Sequence, residues 1–223
     1  MSADKNVLWP RIHDVREGLY NDLYELDEAQ WQTRSLCSDW TVEQLVAHMA
    51  STSTTTPKSF LANLLKNRFS MDRMFNENIA ELTAQGRPAV LEAFRANMHS
   101  TTAPPGPVES WLGEALIHAE DIRKPLGAPH EYKMDDLMTL AEFYKGSNLL
   151  IGTKSRIKGL KLSATDQAWS TGTGPEVRGR MLPLLMTMTG RDAYLDELEG
   201  EGLPELRSRF ASAGARHKDE PGR

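Results

Sequence analysis

Apolar residues recur at helical spacing along most of the chain. Behind Pro10, a residue suited to a first turn, Ile12, Val15, Leu19, Leu23 and Leu26 form one stripe, and the pattern predicts a helix over about residues 10–30. A second helix is predicted from Thr41, where Thr41-Val-Glu-Gln44 fits a capping box and Val42, Leu45, Val46 and Met49 supply the apolar face. The hydroxyl-rich run from Ser51 to Pro57 follows, and it is compatible with a kink, a stop or the lining of a polar cavity. Helical spacing resumes over Phe60, Leu61, Leu64 and Leu65 and extends through Met74, Phe75, Ile79 and Leu82 as far as Gly86. Further helices are predicted at about 88–100, 108–124 and 134–150, the last carrying Leu137, Leu140, Ala141, Tyr144 and Leu149.

After Gly159 the period becomes alternating. Leu160, Leu162 and Ala164 interleave with Lys161, Ser163 and Thr165, as in a half-buried strand. A turn at Asp166-Gln167, a return strand over Trp169–Thr171 and the loop Gly172–Pro175 complete a hairpin, and an apolar helix is predicted over about 181–189. The expected fold is therefore mainly α with a small α/β C-terminal part: a helical bundle over 1–152, a small α/β domain over 153–210, and a disordered tail over 211–223.

Composition narrows the function. The formal net charge is −5 and no basic run appears, which argues against a nucleic-acid partner. No apolar stretch is long enough to cross a bilayer, and the first residues, MSADKNVLWPRIHD, lack the apolar core of a secretory signal, so a cytoplasmic protein without membrane partners is expected. The single cysteine, Cys37, can make no internal disulfide. It reads as a small buried hydrophobe, with a reactive thiol as the alternative.

Glu114 and His118 lie four residues apart on a predicted helix, which sets their β-carbons about 5–6 Å apart on one face. Together with Asp121 they flank the stripe of Val108, Trp111, Leu112, Ala115, Ala119 and Ile122, and His48 flanks the stripe of its own helix. Two helices packed stripe to stripe would give His48, Glu114 and His118 a shared centre. Two imidazoles and a carboxylate suit a divalent metal, zinc first and nickel as a possibility, and three protein ligands leave a position open for water or substrate. The same spacing also describes a surface ion pair and a satisfied core histidine. Asp121 is a candidate acceptor that would fix the tautomer of a ligand histidine; its alternative is an ion pair with Arg123 or Lys124. His13, His99, His130 and His217 have no partner at ligand spacing and read as surface residues.

Three segments carry a family resemblance: SLCSDWTVEQLVAHM, WLGEALIHAEDIRKPLG and GLKLSATDQAWSTGTGPEVRGRMLPLLMTMTGR. In this order they resemble the mycothiol-dependent maleylpyruvate isomerase family, a branch of the DinB-like metalloproteins. The resemblance implies a DinB-like bundle, metal ligands at His48, Glu114 and His118, and a short C-terminal domain similar to sterol-carrier proteins. It also implies mycothiol or a similar thiol as cosubstrate and a small electrophile as substrate, with isomerase or thiol S-transferase chemistry. Arg178 and Arg180 are candidates to bind a substrate carboxylate, and the resemblance, in which an arginine of the C-terminal domain is needed, favours Arg178 as catalytic. The alternative is a metal-binding, non-catalytic regulatory or ligand-binding protein of the same fold.

Overall fold

The computed structural model describes residues 4–37, 40–148 and 151–218, with side chains as far as residue 212. Its contacts divide the chain into two compact units, 1–131 and 132–223. The fold is mainly α with a small sheet, as expected, while the division falls earlier than the 152/153 boundary inferred from the pattern.

The first unit is built from α1 (Lys5–Tyr24), α2 (Glu28–Trp31), α3 (Val42–Thr52), α4 (Pro57–Lys66), α5 (Met71–Thr83), α6 (Arg87–Asn97) and α7 (Val108–Leu126). Helix α1 packs on α7 and α6, and α3 packs on α5, α6 and α7. Their stripes make the core: Ile12 and Leu19, Leu45 and Val46, Val90 and Phe94, and Leu112, Ala115 and Ala119 are all buried. Burial of this kind, and not propensity, holds helices of these lengths.

Several boundaries differ from expectation for identifiable reasons. Helix α1 begins five positions before Pro10 because the Asp4 side chain accepts from the Asn6 N–H and Leu8 is buried in the first turn. It ends at Tyr24, because Asp27 caps a separate short helix through a reciprocal bond with Gln30. The capping box at Thr41 and Gln44 is present as expected. The hydroxyl run both stops α3 and lines a cavity: Ser51, Thr52 and Ser53 donate to the carbonyls of Ala47, His48 and Met49, and Thr56 caps α4. The stretch from Phe60 to Leu82 is two helices, separated where Arg68 and Phe69 adopt positive φ and Ser70 caps α5.

In the second unit, α8 (Met134–Lys145) turns Leu137, Leu140, Ala141 and Tyr144 inward and packs on α10 (Met181–Met188). The pattern had placed α8 in the bundle; the apolar surface of α10, with Met181, Leu184, Leu185, Met186 and Met188 buried, draws it here. The helix stops at Lys145, and Leu149 lies outside the described residues. Short α9 (Thr153–Arg156) leads to β1 (Lys161–Ala164), β2 (Ser170–Gly172) and β3 (Glu176–Gly179). The sheet order is β2-β1-β3: Leu162 faces Thr171 across the antiparallel pair and Val177 across the parallel one. Strand β3 was not anticipated; Glu176–Gly179 has a single apolar side chain, Val177, and so shows no alternation. Gly172 closes the hairpin at φ 78°, and a β-carbon there would collide with the Leu160 carbonyl. Trp169 Nε1–H donates to Glu142 of α8 at 2.8 Å, pinning the hairpin to that helix.

A 3₁₀ helix (Asp192–Glu197) and α11 (Leu203–Lys218) complete the unit. Residues 211–218 are thus helical where disorder was expected, because α11 is anchored through the buried Leu206 and the helix propagates from there; 219–223 lie outside the described residues. No helix among the described residues is long and apolar enough to cross a membrane.

Core and surface leucines should separate cleanly. Leu112→Ala, at a fully buried position, should lower the unfolding free energy by about 2–5 kcal/mol in urea denaturation. Leu61→Ala, on exposed α4, should change it by under about 0.5 kcal/mol.

Candidate functional site

The flank of α7 carries Glu114, His118 and Asp121, and α3 brings His48 to it. The imidazoles of His48 and His118 meet edge to face with ring centroids 5.5 Å apart. His48 is buried and walled by Phe75 at 4.9 Å and Trp40 at 5.1 Å. Burial, and then the neighbouring His118 charge, lowers the His48 pKa to about 3, so its ring is neutral and offers a lone pair.

His118 is held differently. Its Nδ1 lies 3.0 Å from an oxygen of Asp121, a carboxylate with no solvent exposure. A carboxylate accepting here would keep the proton on Nδ1, so Nε2 is the nitrogen that could meet a cation once its own proton is lost. Burial opposes a charge on His118, yet the Cys37 sulfur and Asp121 together outweigh it and hold the pKa up to about 10. An ion binding at Nε2 would compete with that second proton. Asp121 thus lies at hydrogen-bond distance from His118, while Arg123 donates to Asp22.

Glu114 is the least satisfied member. Its side chain is only 9% exposed, and neither carboxylate oxygen has a hydrogen-bond partner. The fully buried Arg16 guanidinium of α1 sits at 3.7 Å, and its Nη1 donates to the Ser100 carbonyl at 3.1 Å. Burial pushes the Glu114 pKa above the ordinary carboxylate range, while Arg16 and His118 draw it back. Two neutralisable imidazoles and a buried carboxylate with unused oxygens form a donor set that fits a divalent cation. Arg16 was not anticipated, because a lone arginine on an amphipathic helix reads as surface charge.

Cys37 departs from its expected role as a buried hydrophobe. The thiol is half-buried, and its sulfur, a His118 nitrogen and an Asp121 oxygen all lie within 4.8 Å of one another. Of the remaining histidines, His13 is partly buried between Trp9 and His99, and His99 pairs with Glu17; the His217 side chain lies outside those described. A small cavity of about 10 Å³ touches His48, and a larger one of about 400 Å³ opens between α3, α4, α5 and α6. Both are lined by Ser51, Thr55, Asn63 and Asn78; Glu81 adds one carboxylate to the larger, and Phe60, Met74 and Phe75 add apolar surface to the one at His48.

Residues 12–123, which hold His48, Glu114, His118 and Asp121, match the family model of the mycothiol maleylpyruvate isomerase N-terminal domain. The chain belongs to this family. Two crystal structures share the fold: the mycothiol-dependent maleylpyruvate isomerase, with a TM-score of 0.64, and its histidine-to-alanine mutant, with 0.62. Each is 16% identical to this family member, and each comparison covers 89% of this chain and 93% of the other. No curated protein matches the sequence.

Arg178 of the second unit lies on β3, where its Nε pairs with Glu199 at 3.0 Å. Arg180 precedes α10 and pairs with Asp166 at 3.4 Å, and Asp166 also accepts from the Met181 N–H at the start of that helix.

Two outcomes follow for stability. In metal-free protein at neutral pH, Arg16→Met should cost roughly 3 kcal/mol in urea denaturation by leaving Glu114 buried without its cation, and adding Glu114→Gln should recover part of the loss. His48 should make stability fall on acidification. Below pH 6.5 the unfolded chain binds a proton there that the folded chain refuses down to about pH 3, a slope of up to about 1.4 kcal/mol per pH unit that His48→Gln should remove.

Proposed function

We propose that this protein is an enzyme that holds a divalent metal, zinc or nickel, on His48, Glu114 and His118 and uses it to activate a low-molecular-weight thiol, mycothiol or a close analogue. The observation that carries this reading is the Glu114 carboxylate, buried with both oxygens unbonded and close enough to feel His118, whose ring meets that of His48. Bound there, the metal would stabilise the thiolate, the nucleophilic form of the thiol, near neutral pH.

The chain's own residues account for the rest. Asp121 fixes the His118 tautomer, Arg16 offsets the Glu114 charge, and Phe75 and Trp40 shield His48 from water. The hydroxyl and amide groups of Ser51, Thr55, Asn63 and Asn78 in the larger cavity suit the hydrophilic body of such a thiol. In isomerisation, sulfur adds to an activated cis double bond, the new single bond rotates, and expulsion of the same thiolate restores the double bond in the trans form. If the electrophile carries a leaving group, the thiol conjugate is the product and the reaction is S-transfer. Arg178 is proposed to bind a substrate carboxylate; its present partner Glu199 is 69% exposed, so exchanging one carboxylate for another costs little.

Elemental analysis of untagged protein, purified without added metal, tests the centre. About one zinc or nickel per chain is expected, lost in His48→Ala and His118→Ala, with Asp121→Asn weakening affinity about 10–100-fold. Absence of metal even after incubation with zinc would refute the reading. Retention of metal without thiol-dependent turnover of any activated alkene or epoxide would leave a binding protein in place of an enzyme.

A further inference from the structure

The connection between α2 and α3 delivers a thiol to the flank of α7 by a defined backbone route. Leu36 N–H donates to the Asp121 carbonyl at 3.0 Å, Cys37 N–H donates to Ser35 Oγ at 3.2 Å, and Ser35 Oγ donates to the Trp40 carbonyl at 2.9 Å. With these polar groups satisfied, Cys37 is held in place, its sulfur within 4.8 Å of both a His118 nitrogen and an Asp121 oxygen. One helical turn before His118, the nine-tenths-buried Glu114 has both oxygens unbonded. His118 therefore belongs to two donor sets at once, one with His48 and Glu114 and one with Cys37. A thiolate is the softest ligand a protein offers and suits zinc. With two imidazoles and a carboxylate it would make up the four ligands that zinc commonly takes.

We propose that Cys37 is a ligand of the same metal as His118, filling the position that the other donors leave to an incoming thiol. This rests on the metal reading above. The resting centre is then closed, and an external thiol gains access only by exchange: it loses the proton that Cys37 Sγ regains, one sulfur replaces another, and the charge of the site is unchanged.

The full-length protein loaded with Co²⁺ in the absence of added thiol tests this. A sulfur-to-cobalt charge-transfer absorption in the near ultraviolet is expected in the wild type and should be lost in Cys37→Ser, which still binds cobalt. Cobalt bound by the wild type without that absorption, or an absorption that persists in Cys37→Ser, overturns the role of Cys37 and leaves the metal reading standing. Failure of the wild type to bind cobalt or zinc overturns both. X-ray absorption of the zinc-loaded wild type needs no variant: a sulfur at about 2.3 Å beside lighter ligands at about 2.0–2.1 Å is expected, and a shell without sulfur overturns the proposal.

Discussion

The charge of Glu114 is the constraint around which the first unit is arranged. A carboxylate removed from water costs several kcal/mol unless a cation or hydrogen bonds replace the lost solvation. Here one buried guanidinium does part of that work: Arg16 reaches Glu114 from α1 and ties itself to the Ser100 carbonyl between α6 and α7. Helix α1 packs on α7, and the pair stays enclosed, with Arg16 1% and Glu114 9% exposed. At 3.7 Å the pair is an ion pair without a hydrogen bond, which keeps both carboxylate oxygens available to a further cation. Full satisfaction by Arg16 would stabilise the bundle more and remove that capacity.

Environment then separates neighbouring groups by role. His48, walled by aromatic rings, is kept neutral, whereas His118 one contact away is held protonated by Asp121 and Cys37. Like residues with opposed pKa shifts in one pocket mark a place where packing serves chemistry at some cost in stability. The groove beside them is lined largely by hydroxyls and amides, and the hydroxyls at the end of α3 donate back onto its carbonyls.

The second unit stands on different support. The family match ends at residue 123, so for α8 and the three-stranded sheet the support is likeness of fold, not the sequence match. Its core is the apolar α10, with α8 and the sheet gathered on it.

The helical stripes of α1, α3, α6 and α7, the capping box at Thr41 and the i,i+3 and i,i+4 relations among Glu114, His118 and Asp121 were legible in the chain, because they depend on periods of a few residues. So was the candidate pairing of His48 with that flank, through the amphipathic faces of both helices. Three features were not. The break at Arg68–Phe69 hides within an uninterrupted apolar pattern, β3 carries one apolar side chain and no alternation, and the allegiance of α8 is set by α10 some forty residues later. Cys37 and Arg16 are the clearest cases: each meets the α7 flank from far along the chain, Cys37 through a backbone bond from Leu36 and Arg16 through the packing of α1. Local sequence determined which faces were apolar and which donors shared a helix. Only the tertiary structure decided which distant cation and thiol would stand beside them, because burial and charge pairing depend on distances between elements that no local period encodes.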